Sequence, residues 1–325
     1  MDGLRAVAVA LVFVHHAFPT YLPGGFLGVD IFFVISGFVI TGALMRDGID
    51  FRRFYIHRFF RIIPPVLPVL AFVLLVSAAG FSLASNLHVV ASMFSFMNWL
   101  RVFDSSGGEY LGHFWSLSIE EQFYLLWPAL LAALIAFKLR PALAISVLLV
   151  ASLTVQLVLF ATGASVERIY NGLDTRASQL LIGCLLYFLV DRVKFSQSYA
   201  LAALAALLCG CLFVGSESDF YLTAGIGIAG VLSALVVGNL AQQQAAWHKL
   251  LQIAPMQWGG SRSYAVYLWH FPLLGLFKAM AIPNAIGAAF ALAATCFAAE
   301  VSMRLVERPA RALRDRIDAS SARAA

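Results

Sequence analysis

The chain has 325 residues, of which 61% belong to the apolar set Ala, Val, Ile, Leu, Met, Phe, Trp, Tyr and Cys and only 12% are charged. Globular chains carry roughly 45–50% apolar and about 25% charged residues, so this balance excludes disorder, a coiled coil, a disulfide scaffold and a soluble nucleic-acid binder. The formal net charge of +5 follows membrane topology rather than a nucleic-acid patch, and what remains is an all-α, multi-pass membrane protein.

Apolar stretches separated by short polar breaks predict about ten transmembrane helices, at 4–18, 27–45, 64–84, 119–137, 141–162, 174–191, 199–215, 220–240, 263–281 and 284–305. The first is short for a span and begins almost on Arg5, but no basic leader or small-residue cleavage site accompanies it. It is therefore expected to be retained, with a few flanking residues before Met1. Between the second and third spans runs FRRFYIHRFFRIIPP, expected as a short amphipathic helix on the inner surface that ends at Pro64–Pro65. The stretch 87–100 is apolar but too short to span, and is expected as a re-entrant or interfacial helix in the long outer loop. Trp99 and Trp115 suit that depth. The last helix leads into a basic tail, so the organisation expected is one membrane domain over 1–310 and a cytoplasmic tail over 311–325. Cys184, Cys209, Cys211 and Cys296 lie in apolar runs without metal-ligand spacing, and neither a redox role nor a metal is expected.

Orientation follows from the cations. With both termini in the cytoplasm, only Arg101, Arg168, Arg176 and Lys278 fall outside among the 22 Lys and Arg residues, and Arg5 lies within the first span. This is the positive-inside distribution of a cytoplasmic membrane protein.

An ionisable side chain at mid-bilayer costs on the order of 2.5–3.5 kcal/mol on insertion scales, so each needs a partner or a task. Arg5 and His16 are eleven residues apart. On a helix that is three turns plus roughly 20°, so they share a face about 16 Å apart along the axis. Arg5 is thus expected near the inner surface and His16 toward the outer half, while His15 points about 100° away. Asp30 and Glu120 lie in the early turns of helices that start outside, and either carboxylate would orient His16 as a general base. The same residues equally suit an interhelical pair without chemistry. Arg58 and Arg61, at i and i+3, share a face and can grip a phosphate, although the positive-inside signal accounts for them as well. Tyr264, Tyr267 and His270 form a polar stripe on the ninth span. Arg176 suits either a charge partner for Asp30 or Glu120 or a contact to a polar acceptor. Glu307 is expected to pair with neighbouring arginines.

The blocks DGLRAVAVALVFVHHA, GGFLGVDIFFVISGF, HRFFRIIPP, FWSLSIEEQFYLLWP, SYAVYLWHFPLL and VERPAR, in this order and across nearly the whole chain, resemble the membrane acyltransferase family 3. Its members O-acylate surface glycans and other extracytoplasmic acceptors. The resemblance implies that Arg5 and His16 form the family's Arg-x10-His motif, with the histidine catalytic. It further implies that Asp30 and Glu120 are its acidic positions, that Arg58 and Arg61 handle the acyl donor, and that His270 is the late histidine. Many relatives carry a C-terminal esterase-like domain, so transfer here is expected to be completed by the membrane domain alone or with a separate extracytoplasmic partner. Acyl-coenzyme A, acetyl-coenzyme A first, is the expected donor, its phosphates on Arg58 and Arg61 with Arg5 beside them. Trp115, Arg176, Tyr267 and His270 are assigned to the acceptor, a glycan or glycolipid hydroxyl. The competing class is a proton-coupled transporter or flippase of a sugar-containing substrate, since embedded His, Asp, Glu and Arg also line such pathways; no inverted repeat of that kind is visible.

Overall fold

The computed structural model describes residues 1–104, 109–242 and 246–324, and every regular element among them is helical. In order these are α1 (Asp2–Ala17), α2 (Leu27–Asp47), α3 (Phe51–Ala78), α4 (Asn86–Met93), α5 (Met97–Phe103), α6 (Phe114–Ala136), α7 (Pro141–Ala161) and α8 (Val166–Asn171). They continue with α9 (Leu173–Leu189), α10 (Gln197–Phe213), α11 (Ile226–Ala241), α12 (Ala254–Ser261), α13 (Ser263–Ala279), α14 (Asn284–Ser302) and α15 (Arg308–Ala324). A helix lies over each predicted apolar stretch. Helices are what such stretches must form, because hydrocarbon offers no partner to an unpaired backbone amide. Six segments are long and apolar enough to cross a membrane: Leu27–Arg46, Phe51–Ala78, Phe114–Ala136, Pro141–Ala161, Tyr221–Ala241 and Asn284–Ser320. The chain is a multi-pass membrane protein. Its apolar residues are distributed accordingly, with Leu143, Val147, Val150, Leu157 and Val158 of α7 all turned outward.

The centre of the bundle is the pair α2 and α9, brought together by glycine on both sides. A Cβ at Gly37 would fall on the Leu180 carbonyl, and one at Gly183 on the Val34 carbonyl. Small residues that let backbones approach are the usual device for membrane helices, where lipid removes most of the hydrophobic drive to associate. Gly28 likewise lets α2 close on the Ala8 carbonyl of α1. These contacts determine where the polar residues of α1, α2 and α9 point.

Two segments depart from expectation. The inner amphipathic stretch is not a separate helix: α3 runs unbroken from Phe51 to Ala78 with Pro64, Pro65 and Pro68 inside it. Each proline removes a helical N–H and frees the carbonyl four residues before it, yet the helix continues, and Tyr264 Oη donates to the Ile62 carbonyl in the same stretch at 3.0 Å. Residues 87–100 fold as two short helices, α4 and α5, rather than one. The break lies at Ser95, whose φ is +54° and whose carbonyl accepts from Gln122 Nε2 at 2.9 Å. Met97 N donates to Ser118 Oγ at 3.1 Å, so this outer segment sits on α6. Around residue 310 the chain is helical without a break. From α14 the helix continues through a π turn, Met303–Glu307, into α15, and Asp318 of α15 binds His57 Nε2 of α3 at 2.6 Å. Glu307 pairs with Arg311 at 2.9 Å.

Candidate active site

His16 lies in the last turn of α1, where α1 packs on α13. Its Nδ1 is 3.0 Å from His270 Nε2, and His270 Nδ1 is 2.6 Å from the Tyr267 carbonyl. A carbonyl oxygen only accepts, so His270 Nδ1 carries the proton. Neutral His270 then accepts at Nε2, His16 Nδ1–H donates to it, and His16 Nε2 is left with its lone pair. Phe271 stacks on His16 with ring centroids 4.3 Å apart, and His113 lies against His270 at 5.1 Å. The ring of His270 is fully buried, which locks this chain of tautomers in place. His15 lines the same cavity as His16, the two ring centroids 5.3 Å apart, and its Nδ1 donates to the Leu22 carbonyl at 3.0 Å.

The expected carboxylate–imidazole pair is not formed. Asp30 is fully buried and sits 2.6 Å from Arg176 Nη2, while Tyr221 Oη donates to its Oδ2 at 2.8 Å. Arg176 Nη1 bonds Tyr221 Oη at 2.7 Å, and the guanidinium is enclosed by the rings of Tyr170, Trp115 and Phe33 at 5.1, 5.3 and 5.5 Å. A carboxylate in low dielectric takes the opposite charge that packing brings nearest. Because α9 lies tightly on α2, that charge is Arg176. Both side chains are sealed from solvent, so the assignment of Arg176 to an acceptor does not agree with its position. Glu120 accepts from Ser36 Oγ at 2.7 Å and lies in a different cavity from His16.

Three cavities with ionisable residues in their walls adjoin one another through shared lining residues. The outer cavity, so named from the expected orientation, is about 140 Å³ and is lined by His16, Arg101, Trp115, Tyr170 and Glu167, with Val29 and Tyr267 in its wall. The middle one, of about 80 Å³, has Val29 and Tyr267 in its wall too, and adds Arg5, Arg58, Arg61 and Glu120. The third, of about 210 Å³, shares Arg58 and Arg61 with the second and adds Arg53, His57 and Arg314. Arg5 is engaged with Asp2 at 3.1 Å. Arg58 lies over the Tyr124 ring at 4.4 Å. Among the described residues neither Arg58 nor Arg61 has a hydrogen bond or an ion pair, so two guanidinium groups face the junction of two cavities with their donors free.

The family model described as an acyltransferase domain matches residues 1–303. The chain belongs to acyltransferase family 3. It is 34% identical to the peptidoglycan O-acetyltransferase OatA of Listeria monocytogenes, the match covering 96% of this chain and 55% of that protein. It is 33% identical to the putative peptidoglycan O-acetyltransferase YrhL of Bacillus subtilis (96% and 54%) and 31% identical to the O-acetyltransferase OatA of Staphylococcus aureus (96% and 57%). The chain thus spans about half the length of the curated relatives it matches. No solved structure matches it.

Within this family member, sequence reasoning overlooked two residues of the outer cavity and its surroundings. Arg101 of α5 donates from Nη1 to the Gly112 carbonyl at 3.3 Å, while its buried Nε has no partner among the described residues. Burial pulls this guanidinium below its ordinary range, against the nearby Tyr170, Tyr267 and Glu167. It read only as one of four outer cations, and no local pattern marks it. His113 donates from Nε2 to the Leu268 carbonyl at 3.3 Å and leaves a buried Nδ1 unpartnered. Its position just before the FWSL block was the one available signal. Among the described residues no three His, Cys, Asp or Glu side chains converge as a metal cradle requires.

Proposed function

We propose that this chain moves an acyl group, acetyl in the first instance, from cytoplasmic acyl-coenzyme A to a hydroxyl of an extracytoplasmic cell-wall glycan. In this reading it crosses the cytoplasmic membrane about ten times, with both termini inside, as the Lys and Arg distribution favours. One observation carries it: the run of cavities has unpaired guanidinium groups at one junction and an imidazole with a free lone pair beyond the next. The relatives' names supply the chemistry of acceptor and acyl group.

Arg58 and Arg61 bind the donor's phosphates by charge-assisted hydrogen bonds, and Arg5 adds a third cation to the same cavity. The extended thioester arm then reaches outward through a core about 30 Å thick. The acceptor hydroxyl comes from the outer side, where Trp115 and Tyr170 offer aromatic faces to a sugar. His16 Nε2 takes the hydroxyl proton as the oxygen attacks the thioester carbonyl. The carbon–sulfur bond breaks, an ester bond forms, and the proton on His16 passes to the departing thiolate. Arg101, whose guanidinium lines the same cavity, stabilises the oxyanion. His270 is a positioning residue: accepting from His16 Nδ1 directs the lone pair of Nε2 into the cavity. Asp30, Arg176 and Tyr221 hold α2, α9 and α11's N-terminal turn together and take no part in proton transfer. Glu120 belongs to the donor side, not to the imidazole.

The test is release of free coenzyme A thiol by the purified protein given acetyl-coenzyme A and a soluble peptidoglycan fragment. Thiol release that depends on the fragment, with an acetyl mass added to the fragment, is expected. Silence across several acyl donors and acceptors overturns the reading in favour of transport.

His270 variants test the positioning role. Alanine leaves His16 free to rotate and is expected to lower kcat by about 100-fold. Glutamine offers an oxygen to His16 Nδ1–H and recovers part of that loss, with the KM for acetyl-coenzyme A unchanged in both. Equal activity of the two variants would show that His270 only fills space.

A further inference from the structure

The middle and outer cavities meet at two side chains, Val29 of α2 and Tyr267 of α13. The free cations lie on one side of this pair and His16 on the other. We infer that Val29 and Tyr267 form the constriction at which the thioester meets the cavity of His16, and that the bulk of these two walls limits the size of the acyl group transferred. This rests on reading the protein as an acyl-coenzyme A-dependent acyltransferase.

Neither wall has room to yield. Tyr267 Oη bonds Ser116 Oγ at 2.6 Å and the His113 carbonyl at 3.0 Å. Its ring is held between Phe32 at 6.4 Å and His113 at 5.4 Å, and it is 5% exposed. Val29 is likewise 5% exposed, and a β-branched side chain on a helix has essentially one rotamer. The backbone beneath it is pinned by the neighbouring Gly28 against the Ala8 carbonyl of α1. Both walls therefore keep their separation when a substrate arrives, and a rigid opening discriminates by size.

The space before the constriction points the same way. A cavity of about 150 Å³ takes up one benzene, so the middle cavity of about 80 Å³ has little room for an acyl chain to fold back beside the thioester. Phe32 and Phe33 line it, an apolar surface suited to a methyl or ethyl end. Discrimination against one extra methylene in an apolar site is worth about 10–200-fold, which is the range a constriction of this kind can deliver.

Val29→Ala removes two methyl groups from one wall, and Val29→Ile adds one. The experiment measures kcat/KM for acetyl- and butyryl-coenzyme A by thiol release with the same glycan fragment, using full-length protein checked for unchanged thermal unfolding. The butyryl-to-acetyl ratio is expected to rise at least 10-fold in V29A and to fall at least 3-fold in V29I. If V29A does not fold, V29I decides alone. Ratios within 2-fold of the unsubstituted protein in every variant that folds overturn the inference while leaving the acyltransferase reading intact. A wild-type protein that binds no coenzyme A and releases thiol from neither donor removes the reading itself.

Discussion

Replacing His16 by alanine is expected to stop acyl transfer, lowering kcat by about 1,000-fold or more, while the protein still folds and binds coenzyme A. Two features of the structure lead to this outcome. His16 lines a cavity and is held through Nδ1 by His270, which leaves its Nε2 lone pair free, and the residues proposed to bind the donor line other cavities. His15, one position away in the cavity of His16, has its Nδ1 held by the Leu22 carbonyl, and H15A is the control expected to keep transfer. The measurement is steady-state thiol release, together with coenzyme A affinity by calorimetry on the same preparation. Transfer that survives in H16A would remove the imidazole from the mechanism. A simultaneous loss of coenzyme A affinity would instead place His16 at the donor.

The second large effect is on stability. Asp30 and Arg176 are each fully buried and paired at 2.6 Å. Breaking a buried pair by removing one partner leaves an uncompensated charge and costs about 3–5 kcal/mol. Arg176→Leu is therefore expected to fall well below the wild type in thermal unfolding, and much of it to be lost on extraction from the membrane. The double variant D30N/R176Q removes both charges while keeping hydrogen-bonding groups. It is expected to be more stable than R176L and to retain acyl transfer. Wild-type unfolding in R176L would show that the pair does not hold α2 and α9 together. A stable D30N/R176Q protein without transfer would return Asp30 to the chemistry.

The two predictions divide residues that looked alike in the sequence. His16, Asp30 and Glu120 were grouped because each is an ionisable side chain near the outer end of an apolar stretch. The structure separates them into an imidazole at a cavity, a sealed ion pair, and a carboxylate bonded to Ser36 in another cavity. Depth along a helix is readable from residue spacing. Direction around the bundle is not, because it depends on which neighbour a helix faces.

What the amino-acid order determined by itself is local. Hydropathy runs and the helical period place α1, α2, α6, α7 and α13 close to their observed bounds, since a segment in lipid must satisfy its own backbone whatever surrounds it. The same period put Arg5 and His16 on one face at different depths, and they line successive cavities. Tertiary structure alone decided the partners. His16 meets His270 from 254 positions away, and Asp30 meets Arg176 from 146 positions away. Those meetings depend on how closely two backbones approach, at Gly37 against Leu180 and Gly183 against Val34. Close approach is a property of two helices together, and neither helix carries it in its own periodicity.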